Sequence, residues 1–322
     1  MLEKKVPELS LSQYTEGSLK EQKQFIDGLF TSLRDFGFVI LKDHPIEKEL
    51  LEEAYRLSRD FFALPTKTKQ SYSQSDMGFQ RGYTPFGQEH AKDAQVPDLK
   101  EFWHVGRDLP EGHRYGDLFP KNIWPQEIPE FQPTFQKLFS QLDGVGRVML
   151  RALTGPLELP QNYFDLMTES GSSILRLLHY PPIAEGVDPR CIRAAAHEDI
   201  NLITLLVSAS ASGLQLKTHE GKWLPVETEA NNLVVDSGDM LARITNGVIP
   251  STTHRVVNPE GPNTSRYSMP FFMHPNPDAL LSCIPSCRGE GPKYPDITAD
   301  EFLMERLREI GLKHLPKEGP SL

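Results

Sequence analysis

Cysteine is scarce in this chain: three in 322 residues, at Cys191, Cys283 and Cys287. A set this sparse cannot build a disulfide framework, and free thiols point to a reducing compartment. Cys283 and Cys287 lie in a Cys-x-x-x-Cys spacing with no second cysteine pair near them, which argues against a structural zinc. Long apolar runs are missing as well. No stretch of about 18 apolar residues occurs, and Met1-Leu2-Glu3-Lys4-Lys5-Val6-Pro7 has no apolar leader core. The expectation is a soluble, cytoplasmic protein without a membrane partner. Clustered positive charge is absent too. Lys and Arg number 34 against 44 Asp and Glu, a net charge of −10, and the basic residues are scattered among acids, so no nucleic-acid surface is expected.

What remains is ordinary globular material, 38% hydrophobic and 24% charged, long enough to bury about three quarters of its unfolded surface without a staple. Spacings of three and four at Phe25, Leu29, Leu33 and Phe36 predict a helix over 18–36, with Ser18 and Glu21 as a capping box and Gly37 as its stop. A strand over Phe38–Leu41 and a helix over 47–63, with Leu51, Ala54, Tyr55 and Phe62 on one side, should follow. Residues 66–128 are polar and rich in Gly, Pro and Gln, and read as a long functional loop. Phe131, Phe135, Leu138, Leu142, Val145, Met149 and Leu153 form one apolar stripe and predict a core-facing helix over 130–153. Thr298 and Glu301 predict a further capping box, opening a C-terminal helix through Leu307 and Ile310.

Between 173 and 285 the texture changes to short strands. Gly213–Lys217 and Lys222–Val226 read as a hairpin around His219-Glu220-Gly221, and Asn232–Asp236 as a buried strand. Met240–Ile244, Gly247–His254 and Ser265–His274 read as further strands. About eight such strands suggest a jelly roll, which limits exposed edges by closing two sheets on each other.

The chemistry concentrates in this half. Ala194 to Val207 reads as extended chain, on which alternation puts His197, Asp199, Asn201, Ile203 and Leu205 on one face. An imidazole and a carboxylate two positions apart, joined by His254 from a neighbouring strand, make a facial triad with roughly three open coordination positions. That set suits Fe(II), although a catalytic zinc accepts the same ligands. Further on, Arg266 and Ser268 share a face and suit the carboxylate of a 2-oxo acid, because a guanidinium fork matches a carboxylate bidentately. Each piece alone is weak; order and strand context give the combination its force.

Taken together, His197-x-Asp199…His254, Arg266-x-Ser268, Tyr180-Pro181 and the Asp35-Phe36-Gly37-Phe38-Val39-Ile40-Leu41 stretch resemble the isopenicillin N synthase-like branch of the 2-oxoglutarate/Fe(II)-dependent dioxygenases. Gly82-Tyr83 and Asp98-Leu99-Lys100-Glu101 resemble that family's loop before the barrel, so the likeness spans roughly residues 5–310. The resemblance implies a mixed α+β, mainly β fold: a double-stranded β-helix (jelly roll) core with flanking N- and C-terminal helices. It implies a helix-and-strand region over 1–125 integrated with the barrel, supporting helices over 126–170, the core over 171–290 and a C-terminal helix and tail over 291–322. It further implies Fe(II) on His197, Asp199 and His254, and 2-oxoglutarate on Arg266, Ser268 and Tyr180, with O2 as oxidant. One departure is visible: relatives often carry Asn two positions before the Tyr, where this chain has Leu178.

Arg176 alternates with Leu178 and Tyr180 and is a candidate for a substrate carboxylate. Phe272 continues the face of Arg266, Ser268 and Pro270 and is a candidate pocket wall. His179 faces away and reads as structural. The expected activity is oxidation, by hydroxylation or desaturation, of a small-molecule substrate with release of succinate and CO2. Two alternatives stand: an Fe(II)/O2 oxidase that uses no oxo acid, as isopenicillin N synthase does, and a zinc-bound or metal-free jelly-roll binding module.

Overall fold

Ser18 caps the first long helix as its spacing to Glu21 requires. Its hydroxyl accepts from the Glu21 amide at 3.4 Å, while Glu21 Oε2 accepts from the Ser18 amide at 2.8 Å, so orphan N–H groups of the helix start are satisfied. Gly37 ends the helix in the left-handed region at φ 67°. A side chain there would also collide with Thr252, whose Oγ1 lies 2.0 Å from the position of a Cβ.

The computed structural model describes residues 5–74, 80–88, 98–188, 191–207 and 209–309. In chain order the elements are β1 (Glu8–Ser10), α1 (Leu11–Thr15), α2 (Leu19–Phe36), β2 (Phe38–Lys42), α3 (Lys48–Phe62), α4 (Thr66–Gln70), β3 (Gly82–Thr84), β4 (Glu101–Gly106), α5 (Phe131–Leu153) and α6 (Tyr163–Thr168). The second half carries β5 (Ile174–Tyr180), β6 (Ala194–His197), β7 (Ile203–Val207), β8 (Leu214–Lys217), β9 (Trp223–Pro225), β10 (Leu233–Ser237), α7 (Asp239–Ile244), β11 (His254–Val256), β12 (Arg266–Met273) and α8 (Ala299–Glu309).

Two sheets face each other. The larger runs β1-β2-β10-β7-β12-β5-β4-β3 and the smaller β6-β11-β8-β9; the β1–β2 pair is parallel. The N-terminal half therefore completes both edges of the larger sheet. Its outer face carries Leu175, Leu177, Ile203, Leu205, Met269 and Phe271, buried against the apolar stripes of α2, α3 and α5. Each such side chain stabilises the fold by about 1.5–3 kcal/mol relative to exposure. Its inner face meets the smaller sheet through Phe38, Ile40, Phe102, Leu178, Leu214, Leu216, Val234 and Val256. This is the double-stranded β-helix expected from the sequence, with helices flanking it.

Several local expectations are corrected. Residues 66–128 are not one loop: α4, β3 and β4 lie within them, and β4 pairs along its whole length with β5. Residues 240–244 are helical, as part of α7, and only His254–Val256 of the following stretch is strand. The chain from 194 to 207 is not one extended run either; it leaves the smaller sheet after His197 and enters the larger one at Ile203. The Thr298–Glu301 capping box forms, and its helix is described through Glu309, with Ile310 outside the described residues. All three cysteines are free. Among the described residues no helix is long and apolar enough to cross a membrane.

Candidate metal and co-substrate centre

His197 and His254 stand directly opposite each other on the paired strands β6 and β11, with ring centroids 4.4 Å apart. His197 Nδ1 donates to Ala195 O at 2.7 Å and His254 Nδ1 to Thr252 O at 3.1 Å. A carbonyl can only accept, so each Nδ1 carries the proton and each Nε2 keeps a free lone pair. Both Nε2 atoms aim at Asp199 Oδ1, at 3.7 and 3.8 Å, and one ligand atom from each residue falls within a 4.8 Å set. Three acceptors this close, with no hydrogen between them, call for a cation. Donors at about 2.1 Å from a divalent ion stand about 3 Å apart, so a small inward movement completes the site. Desolvation by the surrounding walls, reinforced by the neighbouring His254 and Lys100, holds the His197 imidazole below its ordinary pKa, which keeps it a neutral ligand.

The loop that carries Asp199 is held from two sides. Thr204 donates its hydroxyl to Asp199 Oδ2, and Asn201 Nδ2 donates to Thr204 Oγ1 at 3.0 Å and to Ile203 O at 3.1 Å. From below, the start of α7 supplies amides: Gly238 N to Leu202 O at 3.0 Å, Asp239 N to Asp199 O at 2.7 Å and Met240 N to Asn201 O at 3.1 Å. The approach is so close that a Cβ on Gly238 would sit 2.3 Å from Asn201 O. Helix-terminal amides without an intrahelical partner thus fix the crossing between sheets. Asp236, opposite Thr204 on β10, lines the same cavity. Desolvation first, and then the charge of Asp199, push its carboxyl well above the usual range.

Arg266 lies deeper, on β12 opposite Tyr180 of β5. The residue is 1% exposed, its guanidinium carbon 5.1 Å from the centre of the Tyr180 ring. Nε donates to Ala211 O at 3.1 Å, while Nη1 is buried without a partner. A buried, orphaned guanidinium nitrogen is costly unless an acceptor arrives, and the carboxylate of an oxo acid would supply one. Ser268 and Tyr180 line the cavity beside it. The donor set therefore fits both an Fe(II)-type ion and a 2-oxo dicarboxylate.

The cavity is small, about 60 Å³, and is also lined by Arg176, Phe272, Lys100, Leu178, Leu206 and Leu214. Arg176 Nε is 2.7 Å from His104 Nε2, and its guanidinium lies over Phe102 at 4.3 Å and Phe272 at 5.3 Å. Lys100 Nζ donates to Asp98 Oδ2 at 2.8 Å, and Asp98 Oδ1 accepts from Ala195 N at 3.0 Å. His179 points to the other face, where its Nδ1 meets Glu101 at 2.7 Å. All eight candidate residues from the sequence thus meet in one cavity. Sequence reasoning missed Thr204, Asp236, Lys100, Phe38 and Phe102. For Thr204 the alternation is misleading, because the break at 198–202 shifts the parity: Thr204 and Leu206 face the cavity, and Ile203 and Leu205 the helices.

Comparison with known proteins agrees with this geometry. Residues 6–127 match the family model described as non-haem dioxygenase in morphine synthesis N-terminal, and residues 171–275 match the 2OG-Fe(II) oxygenase superfamily. The chain is 34% identical to a 2-oxoglutarate-Fe(II) type oxidoreductase, hxnY, of Emericella nidulans, over 83% of this chain and 79% of that one. A solved 2OG-Fe(II) oxygenase family protein from Caulobacter crescentus superposes with a TM-score of 0.85 at 43% identity, covering 94% of this chain and 98% of that one. A full-length Neurospora crassa protein, solved in complex with alpha-KG and thymine, gives a TM-score of 0.84 at 31% identity, covering 94% and 96%. The chain belongs to the 2OG-Fe(II) oxygenase superfamily: it is an oxidoreductase of the dioxygenase class that works with Fe(II), 2-oxoglutarate and O2.

Proposed function

We propose that the enzyme hydroxylates a C–H bond of a small molecule that carries a hydrogen-bond acceptor, held against the cavity wall that Arg176 and the Phe272 ring form together. His197, Asp199 and His254 hold the metal; Arg266, Ser268 and Tyr180 hold the distal carboxylate of 2-oxoglutarate. When bound, iron and 2-oxoglutarate supply the oxidation: one atom of O2 ends in succinate as CO2 leaves, and the other enters the substrate as a hydroxyl.

The observation that carries this reading is the pairing of a three-ligand cluster with a buried, partnerless Arg266 Nη1 in the same cavity. That nitrogen needs an acceptor, which an oxo acid or a substrate carboxylate could supply; the match to the 2OG-Fe(II) oxygenase superfamily favours the oxo acid. The protein's own residues bind and orient. Two backbone carbonyls fix the imidazole tautomers, Thr204 fixes the Asp199 carboxylate, and Leu178, Leu206, Leu214 and Val256 exclude water around the reacting centre. On the substrate side Arg176 offers planar donors and Phe272 an aromatic face. Such walls suit a flat molecule with carbonyl or carboxylate oxygens, and the similar Neurospora crassa structure contains thymine.

The test is O2 uptake and succinate release over a panel of pyrimidine bases, amino acids and small organic acids with Fe(II) and 2-oxoglutarate. One succinate per hydroxylated product is expected. Substrate oxidation with O2 but no succinate would overturn the reading.

A further inference from the structure

Arg193, just before β6, is as deeply buried as Arg266, at 1% exposure. Its Nη2 donates to Thr264 O at 2.5 Å, two residues before Arg266 on the chain entering β12. Its Nε, like Arg266 Nη1, is buried with no partner. Among the described residues neither guanidinium pairs with a carboxylate. Desolvation first, and then the charge of Arg266, hold Arg193 below the usual guanidinium range, with Tyr180 acting the other way. Two buried cations joined through the Thr264–Arg266 segment, each with an unused donor and, among the described residues, no carboxylate partner, are unfavourable until a counter-ion enters.

We propose that Arg193 is a second cation of the co-substrate site, and that the missing counter-ion of the Arg193–Arg266 pair is the distal carboxylate of the oxo acid. This rests on the assignment of Arg266 made above and extends it to a residue outside the family motif. Arg193 is not among the residues that line the cavity. It is a positioning residue: it ties Thr264, and through it the start of β12, and it adds positive potential behind Arg266. Its consequence is selectivity. A dicarboxylic oxo acid relieves the paired charge; a monocarboxylic one of the same chain length does not.

The test compares binding of 2-oxoglutarate and 2-oxovalerate, which lacks the distal carboxylate, to the Mn(II)-loaded protein by calorimetry without turnover. Arg193→Met is expected to weaken 2-oxoglutarate by about tenfold, a modest buried electrostatic contribution, and to leave 2-oxovalerate within about twofold. Arg193→Gln, which is neutral and keeps a polar amide, should show the same loss and serves if the Met variant does not fold. Arg193→Lys, which keeps the charge, should retain most of the preference. Unchanged 2-oxoglutarate affinity in the neutral variants, or equal loss for both acids, would overturn the proposal and leave Arg193 as a tie for Thr264. Wild-type protein that binds no 2-oxoglutarate would instead overturn the assignment of Arg266.

Discussion

Replacing Arg266 by Met keeps the length of the buried stem and removes the guanidinium. In the structure this deletes one contact within the protein, Nε to Ala211 O at 3.1 Å, and the buried, partnerless Nη1 of a residue that lines the cavity. Removing one partner of a buried hydrogen-bonded charge pair costs about 2–5 kcal/mol, which corresponds to roughly 30-fold to several-thousand-fold in affinity. The oxo-acid dissociation constant should rise by that factor. Metal binding at His197, Asp199 and His254 should change little, since no metal-ligand contact involves Arg266. Anaerobic titration of the Fe(II) protein with 2-oxoglutarate, read by calorimetry, measures the constant directly, with thermal melting as the folding control. A folded Arg266→Met protein that binds 2-oxoglutarate as tightly as wild type would refute the account of that pocket.

Thr204→Val keeps the side-chain shape but deletes the hydroxyl that fixes Asp199; metal affinity should fall about 10–100-fold, and a competition assay with a metal-binding dye that shows no change would count against it. Glu101→Gln should destabilise the fold by about 3–5 kcal/mol, because buried Glu101 accepts from Lys69 Nζ at 2.8 Å, Tyr83 at 2.5 Å and His179 at 2.7 Å. Chemical denaturation measures this, and a loss under about 1 kcal/mol would contradict the network's importance. Burial pushes His274 down to about 4 from an ordinary 6.5. The unfolded chain therefore takes up a proton near pH 6.5 that the folded chain resists until about pH 4, so stability falls as acid is added across that window, by on the order of 3 kcal/mol. His274→Gln should flatten that dependence in melts of the metal-free protein; an unchanged slope would refute the assignment.

Local pattern carries much of this molecule. The alternation of Arg176, Leu178 and Tyr180, and that of Arg266, Ser268, Pro270 and Phe272, depend only on extended backbone, and these residues line one cavity with His197 and with Asp199, which sits on the loop just beyond β6. The capping boxes at Ser18 and Thr298 are equally local. What stays hidden depends on distant pairing. β3 and β4 are short, and β4 becomes a strand by pairing with β5, about 70 positions on, so 66–128 reads as a loop. Met240-Leu241-Ala242-Arg243-Ile244 is too short for its periodicity to separate strand from helix. The helix forms where its first amides meet the carbonyls of Asp199, Ile200 and Asn201. The same contact bends the chain after His197, and Thr204 faces the site because of that bend.

His197, Asp199 and His254 are proposed to hold one ferrous ion to which 2-oxoglutarate binds. Anaerobic titration of the metal-free protein, first with Fe(II) and then with 2-oxoglutarate, tests it most directly. One iron per chain should bind, and the oxo acid should then raise a weak visible charge-transfer band that is absent in Asp199→Ala. A flat spectrum with fully active wild-type protein, or an undiminished band in Asp199→Ala, would contradict it.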